Sequence, residues 1–504
     1  MNCDAPEPIE LSVEELEASA PRCTDSANAD VFVARHGAGY RYVVEWESWL
    51  AWNGQRWCAN GAHGRVVHAA MLSAREDYVT TKFRIRELDE ELRQARLKNE
   101  KDEVERLEGL LKIQATLLAW HTQSQNASRL NATVSLLTTR LTLALTQLDA
   151  DPWLLNVANG TIDLRTATLL PHAREHYLTQ QTPVEWDETA TCPTWDGFLR
   201  GAMGGDLALV LYLARAVGYS LTGLTTEQCL FFCYGLGRNG KSTFLTAIKN
   251  AMGDYACAAP RDLLMVQKTP RHETEYARLL GKRLATGREV GEGERFDEPK
   301  VKDLTGSDVI AARRMNEDYW DLVPTHKLWL GGNYRPTVIG ADLGIWRRIR
   351  LIPWTVTVPE EERDPDLPAK LQRELSGILR WIVSGCLEWQ RIGLSEPTIV
   401  VQATEAYRVD SDILGAFLRD HCVFDPEATV SKPTLRERYE QWCRDSGHEA
   451  VGGRRMATRL RERDCVECHV REGGKERDGW RGVRLLRPEE LYVRSVPALD
   501  EPLS

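Results

Sequence analysis

The run Gly235-Leu236-Gly237-Arg238-Asn239-Gly240-Lys241-Ser242-Thr243 sets a lysine and two hydroxyls directly behind a glycine-bounded loop. The spacing G-x-x-x-x-G-K-[ST] is that of a loop that wraps phosphate groups. Glycines let backbone N–H groups turn inward around one phosphate, and a following helix adds partial positive charge at the same point. Lys241 is then placed to reach the β- and γ-phosphates of a nucleoside triphosphate, and the Ser242 hydroxyl to hold Mg²⁺. The flanks suit this chemistry. Residues 229–234 are an apolar run of strand length, and Lys241–Met252 has helical spacing with Phe244, Leu245, Ile248 and Met252 on one face. Gly253 is a fitting helix end. A chance glycine-rich turn is the competing reading, but it leaves the strand, the helix and the Lys-Ser-Thr run unexplained together.

Hydrolysis at such a loop needs a carboxylate to orient water. Leu284-Ala285-Thr286-Gly287-Arg288-Glu289 offers one at the end of a short apolar run, and Glu289 would be the base. Glu292 and Glu294 stand close enough to compete, and a plain acidic surface loop is the alternative. Lys327-Leu328-Trp329-Leu330-Gly331-Gly332-Asn333 is a second apolar run, ending in an amide that could bond a γ-phosphate or the attacking water. Ile345-Trp346-Arg347-Arg348-Ile349-Arg350 sets cations among apolar residues. Buried guanidinium groups need partners. Arg347 or Arg348 would therefore either pair within the chain or reach a neighbouring subunit's nucleotide.

The elements that would position these groups read as α/β. Residues 227–354 alternate strands with helices and loops, as in a sheet covered by helices. Residues 40–44 and 49–57 suggest a strand pair turning at Asn53-Gly54, and residues 66–148 are helical, with Leu88, Leu92, Leu107, Leu110 and Leu111 as the apolar anchors of a hairpin. Asp151-Pro152 breaks that region. Residues 160–164 and 182–186 look like short strands, helices resume over 195–219, and a further helix is expected over 369–391. The boundaries expected are 1–190 for a mainly helical N-terminal module, 191–392 for the α/β core and 393–504 for a small C-terminal domain.

With 504 residues, 42% hydrophobic and 27% charged, the chain has the composition of a folded protein of two to four domains. The acidic N-terminus has no following apolar run, and the apolar stretch 207–219 carries Arg215, so neither a secretory leader nor a membrane span is expected. Twelve scattered cysteines fit a reducing cytoplasm. Net charge −10 argues against a surface coated for nucleic acid. Residues 432–487 depart from it, with 15 Lys and Arg against 10 Asp and Glu.

In that basic end, residues 433–446, 453–463 and 480–486 suggest helix, helix and wing. The second helix carries Arg454, Arg455 and Arg459, which could meet DNA phosphates, or could simply be solvated. Cys465-Val466-Glu467-Cys468-His469 matches a c-type haem attachment pattern, but attachment requires export, which nothing here suggests. Zinc held by Cys443, His448, Cys465 and Cys468 lacks a second close ligand pair. The Asp149/Asp151, Asp364/Asp366 and Asp410/Asp412 pairs read as loop residues and end no convincing strand.

Taken in order, the phosphate loop, Glu289, the run ending at Asn333 and Trp346-Arg347-Arg348 resemble a superfamily 3 helicase, of the AAA+ ATPases. The resemblance is to the C-terminal helicase half of phage and plasmid primases and of poxvirus-type primase-helicases. Asp151-Pro152-Trp153-Leu154-Leu155-Asn156 with Asp163-Leu164-Arg165-Thr166 is similar to the module that precedes the ATPase in that family. Leu304-Thr305-Gly306-Ser307-Asp308 with Ala312-Arg313-Arg314 is similar to the segment leading to its DNA-contacting hairpin. The likeness runs over about residues 25 to 490. It implies an AAA+-like core with a winged-helix-like C-terminal domain, and ATP with Mg²⁺ at subunit boundaries of a homohexamer. It also implies Lys241 and Glu289 acting in cis, with Ser242 and Glu289 toward the metal. Asn333 is then the sensor, Arg347 or Arg348 the finger in trans, and Arg313 and Arg314 the contacts to DNA in a channel. The implied function is an ATP-dependent DNA helicase of a phage, prophage or plasmid replication system, working with a separate primase or other replication proteins. An ATP-gated DNA-loading factor without unwinding activity is the other class to weigh. Arg288 departs from the family, which carries a small hydroxyl residue at that position. The family-like module begins by about residue 25, so no upstream primase domain is expected.

Overall fold

A computed structural model of the chain describes residues 23–490 apart from 261–262, 268–272, 288–289, 313–319, 339–342, 449 and 488. It divides into two units. The first runs to Asp163 and takes in Thr168–Glu185; the second comprises Leu164–Ala167 and the chain from Trp186 onward.

The first unit opens with helix α1 (Asp25–His36), whose N-cap Thr24 accepts from Ala27 N, and strands β1 (Tyr40–Val43), β2 (Ser48–Trp52) and β3 (Trp57–Cys58). β1 pairs with β2 and β2 with β3, all antiparallel. The expected Asn53-Gly54 turn joins β2 to β3. Asn53 Oδ1 accepts from Gln55 N and Arg56 N, and Gly54 sits at φ +99°, where a side chain would be strained. Helices α2 (Ala62–Lys98) and α3 (Lys101–Ser124) form the hairpin, reversing at left-handed Asn99 and joined by buried Leu88, Leu92, Ala95 and Leu107. Helix α4 (Ala127–Arg140) packs its Leu130, Val134 and Leu137 with Phe32 of α1 and Trp49 of β2. Strand β4 (Thr142–Leu143) then adds to β1 in parallel. Strands β5 (Leu154–Val157), β6 (Gly160–Asp163) and β7 (Thr168–Leu170) make an antiparallel meander. The strand expected over 182–186 has no ladder. Thr182 N donates to Asn156 O and Val184 O accepts from Ala158 N, two single bonds at the end of β5.

In the second unit, α5 (Pro193–Ala202) and α6 (Leu207–Leu221) lead into a five-stranded sheet. Its strands are β8 (Leu230–Tyr234), β9 (Ala256–Ala258), β10 (Leu284–Thr286), β13 (Lys327–Gly332) and β14 (Ile349–Pro353). They lie in the order β14-β8-β13-β10-β9, every pair parallel. Counted along the chain the order is fifth, first, fourth, third, second, so the sheet reverses direction at β8. Ligands of open parallel sheets bind beyond the C-terminal ends of strands at such a reversal. Between β10 and β13 the chain forms α8 (Glu298–Thr305) and an antiparallel pair, β11 (Ile310–Ala312) with β12 (Trp320–Leu322). The helix after β8 is α7 (Lys241–Met252), and a short α9 (Leu343–Trp346) precedes β14.

Two buried basic side chains, Lys327 and Arg283, anchor the N-terminal end of this sheet. Lys327 Nζ donates to the carbonyls of Thr222, Leu224 and Thr325 and lies over the Tyr219 ring. Arg283 donates to Leu221 O. Both satisfy carbonyls at the end of α6, where cations suit the helix dipole. Arg215, the charge within the apolar stretch of α6, is buried and donates to the carbonyls of Leu394 and Ser395. No single described helix is long and apolar enough to cross a membrane.

The helix expected over 369–391 is two helices, α10 (Leu367–Arg373) and α11 (Leu375–Ile392). The break falls at Glu374, whose carboxylate accepts from Thr194 N and Trp195 N and so caps α5 instead. Helices α12 (Thr398–Ser411) and α13 (Ile413–His421) follow. The end of the chain is β15 (Cys422–Ser431), α14 (Lys432–Asp445), α15 (Gly453–Arg461), β16 (Val466–Glu472) and β17 (Lys475–Leu485), with an antiparallel sheet in the order β15-β17-β16. The two helices and the last strand lie where the sequence predicts them, and β15 and β16 are additional.

Candidate functional site

The loop Gly235–Gly240 leaves β8 at the reversal point and enters α7. Strand pairing sets its neighbours: Tyr234 at the end of β8 lies beside Gly332 of β13 on one side and Pro353 of β14 on the other. The loop is held from both. Gly235 N donates to Gly332 O at 3.2 Å, and Trp354 N to Tyr234 O at 2.7 Å. A Cβ on Gly235 would stand 2.0 Å from Trp354 O, so this backbone approach requires glycine. Gly240 caps α7 at φ +88°, with the Phe198 ring 2.8 Å from where a Cβ would sit.

Two loop side chains turn inward. Asn239, 2% exposed, donates through Nδ2 to Leu236 O at 2.7 Å and Trp354 O at 2.9 Å. Lys241, 4% exposed, donates through Nζ to Gly235 O at 2.6 Å, Asn239 Oδ1 at 3.0 Å and Asn333 Oδ1 at 3.1 Å. Leu236, Gly237, Arg238 and Ser242 face solvent, and Thr243 is half-buried. The lysine ammonium is thus satisfied by oxygens of the kind an anion would replace.

Beside the loop, Lys241, Ser242, Leu245, Thr246, Lys249, Thr286, Gly287 and Gly331 line a hollow of about 200 Å³. Its polar groups come from three elements: the first turns of α7, the end of β10 and the end of β13. Thr246, Lys249 and Thr286 were not singled out from sequence. Thr286 was visible as a strand end, but the topology that brings β10 to within one strand of the loop was not. The sulfur groups behind the loop are inert, since burial pushes the Cys229 and Cys233 thiols up to about 12.

The other sequence candidates separate. Glu289, with Arg288, and the pair Arg313 and Arg314 lie outside the described residues. Arg347 and Arg348 precede β14, and Ile349 pairs with Leu230 at the start of β8. They therefore sit at the edge of the sheet opposite the loop, roughly 13 Å of strand away. The two differ in setting. Arg348 is buried and donates to Thr305 Oγ1 at 3.1 Å and Gly344 O at 2.7 Å; Arg347 is exposed and touches Gln228 at 3.4 Å. Among the basic residues of α15, Arg454 and Arg455 are exposed, whereas Arg459 donates to Asp412 at 2.7 Å and Glu462 at 3.1 Å. Cys465 is buried in the apolar core of this end of the chain, and no group of three or more His, Cys, Asp or Glu converges as a metal site among the described residues.

Residues 29–204 match the family described as D5 N terminal like. The chain is also similar to "Putative helicase 022R" of Frog virus 3, at 26% identity over 54% of this chain and 30% of the relative. "Putative helicase L207/L206" of Acanthamoeba polyphaga mimivirus is 25% identical over 65% of this chain and 37% of its own length. The chain spans about a third of the length of these curated relatives. Among solved structures, the C-terminal region of NrS-1 superposes with a TM-score of 0.37 and 11% identity, over 59% of this chain and 77% of that one. The chain thus shares sequence with proteins of large DNA viruses that carry a helicase name.

Proposed function

We propose that this chain is the motor of an ATP-dependent DNA helicase, built on a superfamily 3 type of AAA+ core. One observation carries the reading. The glycine loop follows the first strand of a parallel sheet ordered fifth-first-fourth-third-second, and its lysine bonds the amide at the end of the adjoining fourth strand. The helicase-named relatives support it. In this reading residues 191–392 are the ATPase, 1–190 an associated module, and 393–504 a winged-helix-like domain. ATP sits on Gly235–Thr243, with Lys241 at its β- and γ-phosphates. Ser242, exposed at the mouth of the hollow, and Glu289 would hold Mg²⁺, which would supply positive charge to offset that of the phosphates. Asn333 orients the attacking water that Glu289 deprotonates.

The position of Arg347 supports a ring. An exposed arginine at the far edge of the sheet cannot reach its own loop, but can complete the site of a neighbouring copy. Arg348, buried and bonded within its own chain, positions that turn. Arg313 and Arg314 touch DNA in the channel of a homohexamer, alongside replication partners that include a primase.

The test is hydrolysis and strand displacement on forked DNA. Wild-type protein is expected to show DNA-stimulated ATPase and unwinding, and Lys241→Ala neither. Hydrolysis without strand separation under any loading condition would overturn the helicase reading and leave the DNA-loading factor.

A further inference from the structure

A second cleft of about 840 Å³ in the second unit lies apart from the hollow beside the glycine loop. One wall is core: Arg295, Thr337, Val338 and Trp346. The other comes from the C-terminal elements: the end of α12, the start of α13, the loop before α15 and the exposed face of α15. Six arginines line it, Arg295, Arg408, Arg419, Arg454, Arg455 and Arg459, against three carboxylates, Glu405, Asp412 and Glu462. A net positive cleft in a chain of net charge −10 is a local reversal of sign.

The carboxylates are already engaged. Asp412 and Glu462 both bond Arg459, and Glu405 pairs with Arg408 at 3.3 Å. Arg295, Arg454 and Arg455 are exposed and make no ion pair among the described residues. Arg454 and Arg455 also stand in the first turn of α15, which holds no acidic residue and where the helix dipole disfavours cations. Like charges gathered from separate elements around one opening repel each other unless an anion lies between them.

We propose that this cleft binds the phosphate backbone of a single nucleic-acid strand, gripped by Arg295 from the core and by Arg454 and Arg455 from α15. This rests on the nucleic-acid reading above and relocates part of it. Arg459, grouped with its neighbours by sequence alone, braces the cleft wall through Asp412 and makes no phosphate contact. Arg295 becomes a contact that no motif pointed to. A strand fits better than a free nucleotide, because the arginines are spread over both walls.

Fluorescence anisotropy of a labelled oligothymidylate with the full chain tests this. Arg295→Gln, and separately Arg454→Gln with Arg455→Gln, are each expected to weaken binding about tenfold and to lower the slope of log affinity against log salt by about one per contact removed. Arg471→Gln is the control, an exposed arginine on β16 outside the cleft, and is expected to change neither. Circular dichroism melts of every variant confirm that it is folded. Wild-type affinity and salt slope in folded Arg295→Gln overturn the cleft while sparing the helicase reading. An equal loss in Arg471→Gln overturns it too, by showing diffuse charge alone. No binding by the wild type removes the nucleic-acid reading itself.

Discussion

Lys241 Nζ donates to Asn333 Oδ1 across 3.1 Å, joining the loop after the first strand of the sheet to the end of the fourth. The same ammonium holds Gly235 O and Asn239 Oδ1. In the proposed reading, a triphosphate entering the loop would compete for this ammonium and free Asn333. Lys241→Ala is expected to lose hydrolysis altogether. Asn333→Ala is expected to bind a fluorescent nucleotide within a few-fold of wild type but to turn over on the order of 10² more slowly. Parallel binding and steady-state assays decide it, and a binding loss matching the rate loss would rule out a role confined to the chemical step.

Asn239 carries the second prediction. Its buried amide ties the loop to Trp354 O, and Asn239→Ala leaves that carbonyl and the Lys241 ammonium short of a partner. The expected cost is about 1–3 kcal/mol of stability, read as a lower denaturation midpoint, together with weaker nucleotide binding. Asn239→Asp keeps an acceptor for Lys241 but loses the donor to Trp354, and is expected to recover only part.

The two arginines before β14 are predicted to behave differently. Arg348→Ala removes buried bonds to Thr305 and Gly344 and should lower the melting temperature. Arg347→Ala should melt as wild type and yet lose hydrolysis. Mixing Arg347→Ala with Lys241→Ala subunits is expected to restore part of it, since some mixed interfaces hold an intact pair. Absence of rescue at every ratio would count against action in trans.

His326 predicts a pH dependence. It is buried, neither ring nitrogen has a hydrogen-bond partner among the described residues, and burial with Lys327 beside it lowers its pKa to about 3. The folded chain therefore keeps the imidazole neutral while the unfolded chain protonates it near 6.5. Stability is full above that value and falls as pH drops from about 6.5 toward 3, by at most about 1.4 kcal/mol per unit. Denaturant unfolding at pH 7 and pH 5 should show His326→Leu losing less than wild type on acidification, by up to ~2 kcal/mol. Equal losses would refute the assignment.

How much of this was legible in the sequence follows from distance along the chain. The loop, its strand and its helix were readable because Gly235, Gly240, Lys241 and Ser242 act within eight residues. Asn333 was readable as a strand end, but not its bond to Lys241, which requires knowing that β13 lies beside β8. Thr286 and Lys249 stayed hidden for the same reason. Glu374 looks like one more helical glutamate between 369 and 391; its role as a cap for α5 depends on a partner about 180 residues away. β15 is exposed without alternation through its middle and contains Pro426, and β16 has no buried residue, so their pairing with β17 left little apolar trace. Arg459 could not be told from Arg455 without Asp412 in view.

The segment from Asn333 to Val338 begins beside Lys241 of the glycine loop and ends in the arginine-lined cleft. Along it, Arg335 pairs with Asp410 at 3.0 Å and lies over the rings of Tyr234 and Tyr407, and the Tyr407 hydroxyl donates to Pro336 O. It is a short strut clamped to α12, with one of the two proposed ligand seats at each end. With both seats filled as proposed, a shared strut would make them thermodynamic partners: whatever factor an occupied cleft applied to nucleotide affinity, bound nucleotide would apply to the strand. Grip and release of the polymer would then be set by the same few residues that sense the phosphate.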